Sequence, residues 1–579
     1  MFQNLKKLKK IMSKKQKRHM TGLVVIMFFG AVLETVSVSL MLPLVSAIMQ
    51  PSILEGEGIF AKIAAFLHIE SRTTFIVVSL LGLIIMFILK DVFLFWQHKR
   101  IYRFVYTNQF DTAGKLLQNY VQKDYEYYLH ADTAVIQRCI TVDIVHMYAM
   151  VLAYLQMASE LIVFVCLGIA LLLVDPWMTL VLVVLLAVTL LIIKNVIKPI
   201  MNKNGRANQD YGAKMNSWIS QTVSSIKEVK VGGKEAYFTR EYMQWGEGYV
   251  KAMENYCMFA NTPKLFIEAV CVTGMLLYMM IQVLRGNDVS VMIPAISAFA
   301  LAAVRLMPSA SRINNQITQI AFCEPFFRNV SDNLLKDVEA GSQDVEHNKD
   351  AGGRMPVKQE IRLENITYRY PGTEKAVLNN VSLTIPVGES IGIIGESGAG
   401  KTTLVDILLG LLKPEAGCIC VDGEDIQGNY PSFLKNVGYI PQMIGLLNDD
   451  IVRNVAFGVP KEETSEEQVK KALEEASLLA FVEGLPGGLH ENIGERGIRL
   501  SGGQRQRIGI ARALYGEPEV LILDEATSSL DGETERAVME AMNHLQGKKT
   551  MIIIAHRRET LASCDHIYRV EQGQIVKEV

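Results

Sequence analysis

Two groups of residues have types and spacings suited to phosphate chemistry, and a third glycine-rich group lies just upstream of one of them. The first is Gly395-Glu396-Ser397-Gly398-Ala399-Gly400-Lys401-Thr402, followed by Thr403. In such a loop the glycines let backbone N–H groups approach phosphate oxygens. The lysine neutralises the β- and γ-phosphates, and the threonine hydroxyl can hold Mg²⁺. The second is VLILDE, residues 520–525, an apolar run ending in two carboxylates. Asp524 is placed to bind Mg²⁺ through water, and Glu525 to polarise an attacking water as general base. The third is LSGGQ, residues 500–504, with Ser501, Gly502, Gly503 and Gln504. A strand ending in Asp-Glu is weak evidence alone; following LSGGQRQRIGIARAL at close range it is strong.

These residues need a rigid frame, and the flanking patterns supply one. SIGIIG before the loop reads as a buried strand, and TTLVDILLGLL after it reads as a helix whose N-terminus adds partial positive charge. IRLENITYRY and VSLTIP alternate as strands do, while SIGIIG and EVLILDE are continuous apolar runs. Residues 360–579 therefore form an α/β P-loop NTPase nucleotide-binding domain. Upstream lie six runs long enough to span a bilayer: 21–48, 74–96, 144–174, 177–200, 263–284 and 290–312. Residues 1–330 are thus an α-helical six-span transmembrane domain, and the polar stretch 331–359 is a linker. Lys6, Lys7, Lys9, Lys10, Lys14, Lys15, Lys17 and Arg18 precede the first run and put the N-terminus in the cytoplasm. Six spans then return the nucleotide-binding domain to that side. That first run is too long for a signal peptide, and no A-x-A site follows it.

Composition agrees with a membrane part joined to a soluble one: 50% hydrophobic, 20% charged, mean hydropathy +0.21. A net charge of −2 calls for no nucleic-acid partner. The eight cysteines are scattered, and Cys418-x-Cys420 has no second ligand pair in sequence, so free thiols are expected. No internal repeat is present, so the chain carries one membrane half and one nucleotide-binding domain.

Over its whole length the C-terminal domain resembles the cassette of ABC exporters. Tyr370 in YRYPG matches the aromatic that stacks on adenine, and Gln442 in GYIPQ the glutamine that senses Mg²⁺ and the membrane domain. Ser501, Gly502 and Gly503 match the signature that caps the γ-phosphate from the opposite cassette. Asp531 in SSLD matches the D-loop, and His556 in IIIAHR the switch histidine on the γ-phosphate. GERG, residues 494–497, resembles the exporter X-loop. Taken singly, Tyr370 could be a surface strand aromatic and His556 a core histidine; their order and spacing favour the nucleotide roles. The resemblance implies ATP and Mg²⁺ as cofactors, hydrolysis coupled to transport, and a second copy of the chain as partner, because each signature completes the other's site. No element is degenerate, so a homodimer would have two competent sites.

The membrane half has a narrower resemblance. LETVSVSLMLP (33–43), the loop 51–72 and VRLMPSASRI (304–313) look like the bacterial PglK-type lipid-linked oligosaccharide flippases. This implies a lipid-linked glycan as cargo and the plasma (inner) membrane as location. Drug, lipid or peptide export, and a regulatory ATPase that transports nothing, are the alternatives. Glu34, Glu160, Glu268 and Arg305 fall in apolar runs, where a charge costs roughly 2.5–3.5 kcal/mol, so each should face a cavity or a partner. Arg305 is the candidate for attracting a pyrophosphate, with Glu34 as a further cavity residue; the alternatives are an ion pair between Arg305 and one of the glutamates, or a position near the helix end. Residues 58–69 have the spacing of a helix lying on the outer surface. Tyr125, Tyr127 and Tyr128, and residues 235–240, sit where exporters have coupling helices; a solvated helical face is the rival reading.

Overall fold

The computed structural model describes residues 2–40, 72–172, 176–285, 289–340, 353–525 and 532–578. They form two compact units. One comprises Met1–Lys123 with His130–Ser342, the other Asp124–Leu129 with Gln343–Val579.

Among the described residues, six long helices carry the first unit: α1 (Lys14–Ser39), α2 (Arg72–Val121), α3 (Ile144–Leu172), α4 (Pro176–Ser224), α5 (Glu235–Leu284) and α6 (Val289–Ala340). α2 has 50 residues. At 1.5 Å per residue that is about 75 Å, far more than a hydrocarbon core of about 30 Å needs. The reason lies in its two faces. Along residues 77–92 it exposes Val77, Leu80, Leu81, Ile84, Ile88 and Val92, a surface suited to lipid. Beyond residue 96 charged residues such as Lys99, Arg103, Asp111 and Lys115 join the outside, while Ile101, Phe104, Val105, Leu116 and Tyr120 keep helical spacing and are buried. The inward stripe continues, so the helix does too. The long segments 97–143 and 201–262 are therefore mostly continuations of the membrane helices. α6 likewise runs to Ala340, through residues 331–340 of the stretch read as a linker. Ser331 and Leu334 there are buried, so the start of this stretch packs as helix.

Among the described residues, four helical stretches are long and apolar enough to cross a membrane: Lys14–Ser37, Thr73–Val121, Thr133–Ala170 and Glu235–Ile281. The other expected spans lie in α4 and α6, where many side chains fall outside the described residues. The expected surface helix at 58–69 also lies outside them. One polar lock joins three elements of this unit. The buried carboxylate of Asp143 accepts from Asn329 Nδ2 of α6 at 2.5 Å and from Gln209 Nε2 of α4 at 3.1 Å, with Arg138 Nε 3.5 Å away.

The second unit holds two sheets. One is antiparallel, in the order β2 (Leu378–Pro386), β1 (Glu360–Tyr368), β4 (Ala416–Val421), β5 (Glu424–Asp425). The other has the order β10 (Gln574–Lys577), β9 (His566–Glu571), β3 (Ser390–Gly395), β8 (Thr550–Ile554), β7 (Val520–Asp524), β6 (Val437–Ile440). All but β10 are parallel to their neighbours. β7 and β8 are buried at every residue, as parallel strands covered on both faces are. Leu521, Leu523, Met551 and Ile553 enter one core, and Val520, Ile522, Ile552 and Ile554 the other. Residues 124–129 belong to this unit, where Glu126 accepts a hydrogen bond from the Tyr368 hydroxyl at 3.1 Å.

Candidate nucleotide site

Strand register brings the chemistry together. Ile393 of β3 pairs with Ile554 of β8, Ile554 with Asp524 of β7, and Leu523 with Ile440 of β6. The strands run parallel, so whatever follows their C-terminal ends shares one edge, the usual place for a ligand in such sheets. The glycine loop follows β3, Glu525 follows β7, and His556 and Gln442 come two residues after the ends of β8 and β6.

The loop takes the shape that phosphate binding requires. Gly398 (φ 81°) and Gly400 (φ 106°) are left-handed, and a Cβ on Gly400 would also come within 3.0 Å of Leu378. Lys401 opens helix α7 (Lys401–Leu408) and is only 4% exposed. Its Nζ donates to the carbonyls of Gly395 and Glu396, both at 3.0 Å, so the lysine spans the loop from within. Glu396, Ser397 and Gly398 are exposed at the rim, Ala399 is half-buried, and Thr402 is exposed at the helix start.

Asp524 is 4% exposed, and its Oδ1 has no hydrogen-bond partner. A buried carboxylate oxygen left alone is costly, and a cation beside it removes that cost. With the free hydroxyl-bearing edge at Thr402 and the exposed amide of Gln442, the donor set of oxygens suits Mg²⁺. Bound there, Mg²⁺ would neutralise charge on the β- and γ-phosphates. Burial, reinforced by the charge of Glu525 and opposed by Lys401, pushes the Asp524 carboxyl up to about 6. Asp406 of α7, also buried, is pushed up to about 6 by burial and then by Asp524. Burial lowers the Lys401 ammonium, against the pull of Glu525 and Asp524.

Raised carboxyls hold protons more tightly in the folded chain than in the unfolded one. Their contribution to stability is complete below about pH 4 and is lost as pH rises through about 6. Asp524→Asn is therefore expected to raise the neutral-pH stability of the nucleotide-free cassette by up to about 3 kcal/mol, two units at about 1.4 each. Melting curves in chelator from pH 4 to 8 read this directly. A variant whose pH profile overlays the parent's would show that Asp524 is not the strained anion.

Glu525 is clamped from both sides. One oxygen lies 2.6 Å from His556 Nε2, and the other accepts from Gln442 Nε2 at 2.7 Å. Its own φ is 50°, in the left-handed region, which costs a side-chain-bearing residue about 1–3 kcal/mol and persists only where the surroundings enforce it. The carboxylate is thus aimed, with both oxygens engaged. Tyr370 is half-buried; its hydroxyl is 3.0 Å from Thr403 Oγ1 and its ring meets Tyr368 edge-on at 5.1 Å. Ser501 caps helix α8 (Gly502–Leu514): its Oγ accepts from Gln504 N at 3.2 Å, and Gln504 Oε1 accepts from Ser501 N at 2.8 Å. Ser501 and Gly502 are exposed while Gly503 is buried, so the helix N-terminus presents its amides outward, a ready anion site.

Asp531 lies outside the described residues, as does the side chain of Arg305 in α6. Glu34 is buried at 7% exposure, and Glu268 is exposed. Glu160 is held by Arg312, with Nε to Oε1 at 2.6 Å. Sequence reasoning missed Asp406; an aspartate among the apolar residues of TTLVDILLGLL was the available signal.

Residues 378–528 match the family described as ABC transporter. Along 97% of this chain and 94% of the other, the structure resembles a bacterial Atm1-family ABC exporter solved with ATP bound, with a TM-score of 0.73 and 21% sequence identity. The fold is that of an ABC exporter. The chain is also similar to proteins named ATP-dependent lipid A-core flippase: that of Desulfotalea psychrophila, 33% identical over 66% of this chain and 65% of the relative, and that of Cupriavidus metallidurans, 33% identical over 69% and 66%. The counterpart from Vibrio cholerae is 35% identical over 49% of this chain and 52% of its own length. The chain spans about half to two thirds of the length of these relatives.

Proposed function

We propose that the chain is one half of a homodimeric, ATP-driven exporter that flips an amphipathic phosphoglycolipid across the plasma (inner) membrane. The observation that carries this is Glu525, held between Gln442 and His556 beside Lys401 and the orphaned Asp524 oxygen, on a chain with six long helices. In this reading Glu525 takes a proton from the attacking water, and His556 steadies the carboxylate and donates to the γ-phosphate. Lys401 and the amides of 398–402 hold the β- and γ-phosphates, and Tyr370 stacks on the base. The exposed Ser501 and Gly502 complete the site of a second copy, with Asp531 between the two. Residues 124–129 carry cassette movement to the helices. Mg²⁺ would be held by Thr402, Gln442 and Asp524.

The cargo is best read as a lipid-linked oligosaccharide, on the segments 33–43 and 304–313. The relatives' names support a phosphorylated glycolipid as the broader class. A guanidinium in a low-dielectric path binds a diphosphate bidentately, so Arg305 is the proposed contact, with Glu34 as a further candidate. Arg305→Ala is then expected to lower flipping at least tenfold with basal ATPase within about twofold, since only an anion contact of roughly 1.5–3 kcal/mol is lost. Arg305→Lys should restore part of it. Flipping of a fluorescent polyprenyl-diphosphate glycan, measured beside ATPase and melting temperature, tests this. Unchanged flipping in a stable Arg305→Ala protein removes Arg305 from the path. ATPase stimulated by hydrophobic drugs and not by glycolipids favours the multidrug reading.

A further inference from the structure

A cavity of about 810 Å³ opens between α1 and α2, near the basic end of α1. Its walls are two helical stripes. From α1 come Lys15, Arg18, Gly22 and Ile26, and from α2 come Trp96, Arg100, Arg103 and Thr107, each spaced three or four apart. The stripes are antiparallel, tied by Gln16 Nε2 donating to Asn108 Oδ1 at 2.6 Å. The cavity is therefore graded along the helix axes: Ile26 and Trp96 make one end apolar, and the cations gather toward the other.

Five cations, Lys15, Arg18, Arg100, Arg103 and Lys115, line it against one carboxylate, Asp111. None of the five has an ion-pair partner among the described residues, while Arg100 lies over the Trp96 ring at 5.3 Å. Like charges gathered without partners repel one another and destabilise the arrangement unless an anion joins them. Free phosphate would satisfy the charges but leave the apolar end wet. A molecule with an anionic head and an apolar tail fits both ends, and basic pockets between membrane helices take such headgroups.

We propose that this cavity binds the headgroup of an anionic membrane phospholipid, in the leaflet that surrounds the N-terminal end of α1. The site needs only that α1 and α2 lie in a bilayer. It is independent of the cassette chemistry and of which cargo is moved.

Trp96 reports on occupancy. The full chain is reconstituted into phosphatidylcholine vesicles containing a minor fraction of brominated phosphatidylglycerol, or the same fraction of brominated phosphatidylcholine. Trp96→Phe identifies its share of the emission from the four tryptophans. Stronger quenching of Trp96 by the anionic lipid is expected. Arg100→Gln with Arg103→Gln should weaken that preference about 25-fold, at about fivefold per cation removed. Arg100→Lys with Arg103→Lys should retain most of it, which excludes a folding defect as the cause. Equal quenching by the two lipids, or an unchanged preference in the glutamine variant, overturns the proposal. Displacement of the brominated lipid by inorganic phosphate overturns it in favour of a free-anion site.

Discussion

Glu525→Gln is expected to lower ATP turnover by about 10²–10⁴-fold while ATP affinity stays within a few-fold of the parent. The substitution keeps the shape and removes the charge proposed to take the proton. The cradle is untouched, because Lys401 bonds to Gly395 and Glu396 and not to Glu525. The clamp also survives in part. Glu525 now accepts from Gln442 and faces His556 Nε2. An amide has one accepting oxygen, so one contact must reverse, and Gln442 can do so by turning its own amide. The variant should collect in the ATP-bound, cassette-closed state. Single-turnover hydrolysis beside an equilibrium nucleotide titration reads both quantities. Turnover within a few-fold of the parent would take Glu525 out of the base role.

Lys401→Ala is expected to fail one step earlier. Nucleotide affinity should fall by about 2–3 kcal/mol, the value of a charge-assisted hydrogen bond lost in a buried setting, or roughly 30- to 150-fold. A second consequence follows from the buried carboxylates. The lysine opposes the upward shift of Asp524, so without it that carboxyl should rise above about 6, and the acid-to-neutral decline in stability should move to higher pH. Nucleotide titration together with a pH series of melting curves separates this from simple unfolding. Unchanged affinity contradicts the phosphate role, and an unmoved pH profile contradicts the electrostatic coupling.

The phosphate loop was legible in sequence because its parts are contiguous: strand, glycines, lysine and helix follow one another, and the chain delivers them together. The same holds for Asp524 and Glu525 at the end of VLILDE. The clamp on Glu525 was not legible from spacing. Gln442, Glu525 and His556 meet through the registers of β6, β7 and β8, which pairing decides and separation in sequence does not encode. Asp406 was hidden for a similar reason: its neighbour Asp524 comes from another element. In the membrane half, apolar runs marked the spans, but they could not mark where the helices end. Ile101, Phe104, Val105, Leu116 and Tyr120 carry α2 onward on a buried stripe while charged residues join its outer face. Averaged hydropathy sees only the outer change. Asp143, buried among Arg138, Gln209 and Asn329, was likewise passed over, because its three partners come from three separate stretches of chain.

The central claim is that hydrolysis at Glu525 drives a glycolipid across the bilayer. The most direct test is flipping of a fluorescent polyprenyl-diphosphate glycan in proteoliposomes, followed by loss of access from outside. Parent and Glu525→Gln proteins are compared with Mg²⁺ and ATP. The account predicts flipping that needs ATP, stops when Mg²⁺ is chelated, and falls to the protein-free rate in Glu525→Gln. Equal flipping by parent and Glu525→Gln, or hydrolysis by the parent with no lipid moved, would contradict it.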